Sequence, residues 1–328
     1  MTNFAISARD VRDAADLLRG VAVRTPLLEN AALNARMGRR VLIKFEGAQH
    51  GGAFKFRGAY NRLARIAPER RAAGVVAWSS GNHALGVANA ARMLDMPATI
   101  VMPADAPEIK VAGTRALGAE ILFYDRFTES REAIATALAT ERGATLVPSF
   151  DDPLVMAGQG TVGLEIMEQA AEAGAALFAI LVCCGGGGLI AGVATAVCEA
   201  MPDVAIYAVE PAGFDDTARS LASGRREAVT PDARSICDAL LAPMPGELTF
   251  PINHALLTGG LAVTDAQVRA AMRYAFETLK LVVEPGGAVA LAALLQDLAP
   301  RSDAPIAIVL SGANVDAAPY AAILQGTD

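Results

Sequence analysis

Short apolar runs alternate with longer helix-like segments along the 328 residues of this chain. Two of the runs, residues 178–182 and 306–310, are apolar at every position. Such runs are typical of strands in a parallel sheet that helices cover on both faces. The alternation predicts an α/β fold. Hydrophobic residues make up 53 % of the chain, which is enough for a large core.

The predicted elements are short strands followed by helices. The strands are residues 41–45, 75–78, 99–102, 120–124, 145–147, 178–182, 206–209 and 306–310. The helices are residues 82–94, 108–116, 129–141, 161–173, 189–200, 265–279 and 287–298. Residues 213–251 show little periodicity and are predicted to form a long loop. The strands between about 75 and 147 predict one unit and the later strands a second, with a ligand in the cleft between them.

Composition limits the functional class. The net charge is −7 and no run of Lys or Arg resembles a nucleic-acid patch. We see neither an N-terminal apolar signal region nor an uninterrupted apolar stretch of about 20 residues. The four cysteines match no zinc or disulfide pattern. We therefore expect a cytoplasmic protein that binds neither nucleic acid nor a membrane.

Lys55 lies in the run GGAFKFRGA, residues 51–59, between two phenylalanines. Apolar surroundings disfavour the ammonium form, so the amine can be nucleophilic near neutral pH. A neutral amine can form a Schiff base with an aldehyde such as pyridoxal phosphate. The alternative is a lysine that buries its stem and extends its charged head to water.

Four consecutive glycines, residues 185–188, follow an apolar strand and precede a helix. Their N–H groups, together with the helix N-terminus, predict a phosphate site. A flexible turn is the structural alternative. The loop is not a P-loop, whereas Glu199 leaves a dinucleotide site open as an alternative.

Two further turns carry small polar residues after strands. The segment SSGNH, residues 79–83, begins a helix and suits a substrate carboxylate, or it is an ordinary helix cap. The segment SGAN, residues 311–314, places Ser311 where a hydroxyl could meet a ring nitrogen, or it is a simple turn.

Together these segments resemble the fold-type II pyridoxal-phosphate family, most closely its serine/threonine dehydratase and serine racemase branch. The resemblance runs from about residue 25 to residue 316. It implies a tryptophan synthase β-like fold of two open, twisted α/β domains, with the cofactor in the cleft between them. Residues 1–70 and 150–328 would form the large domain and residues 71–149 the small one. The family also implies a homodimer.

The resemblance implies a role for each matching cofactor residue. Lys55 would form the Schiff base, Phe54 would pack on the ring, Asn82 would bond the 3-hydroxyl and Ser311 would face the ring nitrogen. The implied phosphate ligands are Gly185, Gly186, Gly187 and Gly188. Glu284 would lie near the ring, with a structural role as the alternative.

The resemblance also implies substrate residues. Ser79, Ser80, Asn82 and His83 would surround the α-carboxylate. Lys55 and Ser80 would be catalytic, because in the racemase branch the serine matching Ser80 is the acid/base opposite the lysine. Arg131 could bind a second carboxylate, or it could be a surface arginine paired with Glu129 or Glu132.

A divalent cation is the second implied cofactor. Residues 210–216 resemble the family's metal loop, with carboxylates from Glu210 and Asp216 and the backbone carbonyl of Phe214. Oxygen ligands suit Mg²⁺, Mn²⁺ or Ca²⁺. The alternative is a solvated acidic loop.

The expected activity is that of a pyridoxal-phosphate-dependent ammonia-lyase. It would act by β-elimination on L-serine, L-threonine or threo-3-hydroxyaspartate to give a 2-oxo acid and ammonia. Serine racemase activity in the same site is the close alternative. A nucleotide-binding oxidoreductase and a non-catalytic metabolite-binding protein are more distant ones. We expect no appended regulatory domain and no feedback by isoleucine.

Overall fold

The computed structural model describes residues 4–79, 81–106 and 108–327, apart from the side chain of Ile109. These residues form two sheets and thirteen α-helices. The strands are β1 Leu27–Glu29, β2 Val41–Phe45, β3 Val75–Trp78, β4 Ala98–Pro103, β5 Glu120–Tyr124, β6 Thr145–Leu146, β7 Ala179–Cys183, β8 Ala205–Pro211, β9 Gly259–Val263 and β10 Ile306–Leu310.

The helices lie between and after these strands. They are α1 Ala8–Leu18, α2 Ala31–Met37, α3 Lys55–Ala64, α4 Asn82–Met93, α5 Glu108–Ala116, α6 Arg131–Arg142, α7 Pro153–Glu172, α8 Gly188–Ala200, α9 Asp216–Ser223, α10 Thr249–Leu256, α11 Asp265–Tyr274, α12 Pro285–Leu295 and α13 Ala317–Gln325. None of the helices in the described part of the chain could cross a bilayer.

The larger sheet has the strand order β1-β2-β10-β7-β8-β9. All its neighbours pair in parallel except β1 and β2, which are antiparallel. Its central strands β10 and β7 are buried at every residue, as their continuous apolar sequences predict. The carboxyl ends of these two strands lead into the serine turn at Ser311 and into the glycine loop, so both turns lie at one edge of the sheet.

The smaller sheet has the order β5-β4-β3-β6 and is parallel throughout. β3 leads into the turn before α4, and β5 leads toward α6, which begins at Arg131. The two sheets carry separate hydrophobic clusters, with α3 contributing Phe56, Ala59 and Leu63 to the cluster of the smaller one. The division into domains 1–70 with 150–328 and 71–149 stays a prediction.

The α/β class and all eight predicted strands are confirmed, with ends that differ by two residues at most. Two strands escaped prediction, β1 and β9. Each is short and lies at an edge of the sheet, and β9 begins with two glycines. Edge strands have a weaker apolar pattern because one side of the backbone has no partner strand.

The helix predictions were wrong for residues 213–251 and for the start of α7, and they also missed α1, α2, α3 and α13. The predicted loop at 213–251 contains α9, a short 3₁₀-helix Asp238–Leu240 and the start of α10. α3 was not predicted, and α7 begins at Pro153 rather than at residue 161. Glycines weakened the helical pattern in α3 and α7, yet they are needed for packing. A Cβ on Gly58 of α3 would lie 2.6 Å from the carbonyl oxygen of Val155 in α7.

Candidate functional site

A cavity of about 670 Å³ opens between the two sheets. Its lining includes Lys55, the glycine loop and Ser311 from the side of the larger sheet, and Trp78, Asn82 and Arg131 from the side of the smaller one. The volume lies within the range of sites that hold a small cofactor with its substrate.

Lys55 is the first residue of α3 and lies against this cavity. Its Nζ donates to the carbonyl oxygen of Ser149 at 2.7 Å and lies 5.2 Å from the centre of the Phe54 ring. Burial lowers the pKa of the Lys55 ammonium to about 8. A substantial fraction of the amine is therefore neutral near physiological pH and can attack an aldehyde.

A buried charge cluster holds α3 just after Lys55. Arg57 is 1 % exposed and pairs with Glu46 at 2.8 Å and with Glu165 at 2.6 Å. Lys44 completes the cluster through Glu165 at 2.6 Å. Two cations thus balance two carboxylates inside the protein, which is the condition under which buried charges are tolerated. The cluster ties the first turn of α3 to β2 and α7.

The glycine loop presents free amides. In the part of the chain that the structure describes, the N–H groups of residues 185–188 donate no hydrogen bond to the protein. The carbonyl of Gly186 is instead held by the Thr249 hydroxyl at 2.7 Å and by the Gly246 amide at 3.2 Å. The loop therefore turns its donors toward the N-terminal end of α8, where an anion is favoured.

Side chains on this loop would not fit. Gly187 has a φ of 90°, and a Cβ there would lie 2.6 Å from Nδ2 of Asn253. A Cβ on Gly186 would overlap the ring of Phe150. The four glycines therefore form a cradle of fixed shape, and the alternative of a flexible turn does not account for this bracing.

A polar chain orients Asn82. Its Oδ1 accepts from Nδ2 of Asn314 at 2.8 Å, and its Nδ2 donates to Oε1 of Glu284 at 2.6 Å. The amide orientation is thereby determined, and Nδ2 keeps one N–H for another acceptor. Burial raises the pKa of Glu284 to about 7, with a further contribution from Asp238.

His83 is neutral in this site. Burial, together with the nearby charge of Lys55, lowers its pKa to about 3. Its Nε2 lies 2.9 Å from the carbonyl oxygen of Val147, which assigns the ring proton to Nε2. Nδ1 then carries a lone pair and has no partner among the described residues.

Ser311 and Phe54 meet at the end of β10. The Phe54 amide donates to the Ser311 carbonyl at 3.1 Å, and both side chains are buried. The thiol of Cys183 lies beside Ser311, and burial raises its pKa to about 11. Ser311 thus presents a buried hydroxyl group, and not a carboxylate, at the end of β10.

Arg131 and the turn before α4 face the cavity from the smaller sheet. Arg131 is exposed and makes no hydrogen bond or ion pair to any described residue. Glu129, one proposed partner, accepts instead from the Asp125 amide at 2.7 Å. In the turn, the Ser79 hydroxyl accepts from the Gly81 amide at 3.1 Å. Ser80 lies outside the described residues.

Sequence and structural comparisons agree with this geometry. Residues 18–312 match the family described as pyridoxal-phosphate dependent enzyme. An L-threo-3-hydroxyaspartate ammonia-lyase of a Pseudomonas species is 45 % identical over 98 % of this chain and 99 % of that protein. This chain belongs to the pyridoxal-phosphate-dependent enzymes.

Two further relatives extend the comparison. The L-threo-3-hydroxyaspartate ammonia-lyase of Saccharomyces cerevisiae is 40 % identical over 97 % of this chain and 96 % of that protein. The structure of maize serine racemase superposes with a TM-score of 0.92, at 37 % identity and 98 % coverage of both chains. The predicted fold-type II architecture is thereby confirmed.

The residues of this pyridoxal-phosphate-dependent enzyme fit its cofactor. The glycine cradle would offer unpaired amides to a phosphate, Lys55 would offer a nucleophilic amine to the aldehyde, and Asn82 would offer its remaining N–H to the 3-hydroxyl. When bound, the cofactor withdraws electrons from the substrate α-carbon. These roles, and those of Phe54, Glu284 and Ser311 toward the ring, stay predictions.

The proposed metal residues lie near the end of β8. Both oxygens of the Glu210 carboxylate accept amides at the start of α9, from Thr217 at 2.9 Å and Ala218 at 2.8 Å. Asp216 is 2 % exposed, and its Oδ2 has no partner among the described residues. Burial raises the pKa of Glu210 to about 8 and that of Asp216 to about 7. No cluster of three or more His, Cys, Asp or Glu suited to a metal occurs within the described ranges.

Sequence reasoning missed several residues of the site. The carbonyl oxygen of Ser149 accepts a hydrogen bond from the Lys55 amine, and the side chain of Asn314 orients Asn82. Lys110 and Asp238 both line the cavity and form an ion pair of 2.6 Å. Asn314 stood in a segment already singled out, so its proximity to Ser311 was an available signal. Lys110 and Asp238 lie in segments without any motif.

Proposed function

We propose that this pyridoxal-phosphate-dependent enzyme is an ammonia-lyase that prefers L-threo-3-hydroxyaspartate. The observation that carries the proposal is Arg131, an exposed guanidinium at the cavity that no described residue neutralises. A free guanidinium suits a second carboxylate, which hydroxyaspartate has and serine lacks. Two relatives with 45 % and 40 % identity bear the name of this activity.

The reaction is the loss of water followed by hydrolysis. The amine of Lys55 takes the α-proton, and the β-hydroxyl leaves with a proton as water. The enamine that is released takes up water and yields a 2-oxo acid and ammonia, so hydroxyaspartate gives oxaloacetate. A neutral His83 adds no positive charge beside Lys55, so the amine keeps its capacity to accept the proton.

Release of 2-oxo acid from L-serine, D-serine, L-threonine and both threo-3-hydroxyaspartates tests the proposal. We expect the L-threo isomer to have the highest kcat/KM. Arg131→Ala should lower that value about tenfold to a hundredfold, because a hydrogen bond between charges is lost. The same variant should leave the kcat/KM for L-serine within about threefold of the wild-type value.

Arg126→Ala is the matched control. Arg126 is an exposed arginine five positions earlier that pairs with Asp105 at 2.7 Å and is not part of the cavity lining. Its replacement should leave the kcat/KM unchanged for both L-serine and L-threo-3-hydroxyaspartate. An equal loss on serine and hydroxyaspartate in Arg131→Ala would contradict the assignment of the second carboxylate.

Serine racemase activity is the second candidate, favoured by the close similarity to the maize enzyme. It needs a proton donor on the face opposite Lys55, and Ser80 stays the predicted donor. Chiral analysis of L-serine incubated with the enzyme would detect D-serine. Ser80→Ala should abolish that product and retain 2-oxo acid release.

We infer a divalent cation at Glu210, Asp216 and the Phe214 carbonyl. Two buried carboxylates with a free Oδ2 form a set of oxygen ligands that suits Mg²⁺, Mn²⁺ or Ca²⁺. The ion would brace β8 against α9. Elemental analysis should find about one equivalent, and a chelator should lower the melting temperature of the wild type but not that of Asp216→Asn. Metal-free wild-type protein of unchanged stability would contradict this.

The homodimer and the cytoplasmic location stay predictions. Light scattering on the purified holoenzyme would measure the mass of the assembly, for which we expect twice that of the chain.

A further inference from the structure

Lys110 and Asp238 form an ion pair that has no role in the proposed chemistry. Lys110 belongs to α5, beside the smaller sheet, and Asp238 begins the 3₁₀-helix Asp238–Leu240. Their Nζ to Oδ2 distance is 2.6 Å. Among ion pairs between described residues, it alone joins residues 75–146 to the rest of the chain. The pair therefore crosses the cleft.

The ammonium of Lys110 lies at the turn that precedes α4. A Cβ built on Gly81 would lie only 3.4 Å from the Lys110 Nζ. Gly81 precedes the first residue of α4, and both Gly81 and Lys110 line the cavity. A cation and a helix N-terminus thus adjoin the same space, and each attracts a carboxylate.

The two partners differ in exposure. The Lys110 side chain is 7 % exposed and that of Asp238 is 43 % exposed. Asp238 can turn toward water at small cost, whereas buried Lys110 would lose the one ion pair that it makes with a described residue. A ligand carboxylate entering the cavity can therefore replace Asp238, because it gives Lys110 a new partner.

We propose that Lys110 binds the α-carboxylate of the substrate, and that Asp238 pairs with the Lys110 ammonium only until the substrate binds. This inference rests on the proposed function for the identity of the amino acid, but not for the carboxylate. The exchange would keep Lys110 paired at every stage. Asp238 then competes with the substrate, and its removal should strengthen carboxylate binding.

Propionate, a carboxylate without an amine, tests the exchange in the holoenzyme without turnover. Trp78 lines the cavity and is the only tryptophan of the chain, so its fluorescence can follow the titration. Lys110→Met should raise the dissociation constant about tenfold, the usual effect of losing a charge-assisted hydrogen bond. Asp238→Asn should lower it about fivefold, in line with a half-exposed ion pair.

Arg226→Gln controls for long-range charge. Arg226 also lines the cavity and pairs with Glu247 at 3.2 Å, so its replacement removes a cavity cation without touching the α4 turn. This variant should leave the dissociation constant of propionate within twofold of the wild-type value. Propionamide, the neutral analogue, should respond to none of the variants. Cofactor absorbance and circular dichroism would show that each variant is folded.

A higher dissociation constant for propionate in Lys110→Met and a lower one in Asp238→Asn would support the proposal. Weaker binding in Asp238→Asn would overturn it, since the pair would then be a fixed brace. An unchanged constant in Lys110→Met, a similar loss in Arg226→Gln, or no saturable binding to wild-type protein would overturn it as well. Absence of 2-oxo acid release would instead remove the proposed function and leave the titration valid.

Discussion

The two walls of the cavity differ in how firmly their polar groups are held. The cofactor wall comprises Lys55, the glycine loop, Glu284 and Ser311. The substrate wall comprises Ser79, Lys110 and Arg131. On the cofactor wall the Gly186 carbonyl and the Lys55 amine each have a protein partner. On the substrate wall Arg131 has none among the described residues, and Lys110 finds its partner across the cleft.

This difference separates two tasks. A wall whose groups are held in place would be preorganised for one constant ligand, as we expect of the cofactor. On the other wall, the unpaired cation of Arg131 can discriminate among amino acids, because it gains most from the ligand that supplies a second carboxylate. Variants of the first wall should therefore affect all substrates equally, whereas a variant of Arg131 on the second wall should alter substrate preference.

The largest expected effect comes from the cofactor wall. Lys55→Ala removes the proposed proton acceptor and should lower turnover of every substrate about 10⁴-fold. Release of 2-oxo acid from L-serine and hydroxyaspartate measures the loss. Lys280→Ala is the control, because Lys280 is exposed and its Nζ donates to the carbonyl oxygen of Glu277. This variant should not change the turnover of either substrate. A residual rate within tenfold of wild type would reject Lys55 as the base.

The charge cluster behind that wall should contribute to stability. Glu165→Gln leaves Arg57 and Lys44 with one carboxylate and should lower the free energy of unfolding by about 3 kcal/mol. Glu120→Gln breaks an exposed pair with Arg142, also of 2.6 Å, and should cost less than about 1 kcal/mol. Urea unfolding measures both values. Equal costs would show that burial does not strengthen the cluster.

The low pKa of His83 predicts a pH dependence of stability. In the unfolded chain His83 takes a proton near its ordinary pKa of 6.5, but in the folded protein only near 3. The unfolded state therefore binds more protons between these values, and stability falls as pH falls from 6.5 to 3. At pH 5 the loss is about 2 kcal/mol.

Replacement of the histidine checks this contribution. In His83→Gln the difference between urea unfolding at pH 7 and at pH 5 should shrink by about 2 kcal/mol, since no imidazole titrates there. The amide can still donate to the Val147 carbonyl. If the variant kept the full pH dependence, other groups would be its source.

The smallest effect concerns a single methyl group in the cradle. Gly187→Ala and Gly118→Ala both place alanine at a positive φ, of 90° and 86°, and each should lose about 1 kcal/mol of stability. A Cβ at Gly187 meets Asn253, whereas one at Gly118 meets nothing within 4 Å. Only Gly187→Ala should also weaken cofactor binding, as measured by absorbance titration. Equal cofactor affinities would mean that the cradle tolerates the added methyl group.

The sequence by itself determined the fold class, and it singled out Lys55 and the glycine loop as candidate site residues. Each depends on neighbouring residues: apolar runs for the strands, phenylalanines around the lysine, and glycines between a strand and a helix. Such local patterns reflect backbone and side-chain preferences that act over a few positions. The same reasoning failed for α3 and α7, where glycines serve helix packing rather than a break.

Only the tertiary structure decided how the site is completed. The pair of Lys110 with Asp238 spans 128 positions, and the bond from Asn82 to Glu284 spans 202. Glu210 caps a helix in a segment whose sequence predicts a loop. Contacts at such separations depend on the order of strands in the sheets, and no short stretch of sequence encodes that order.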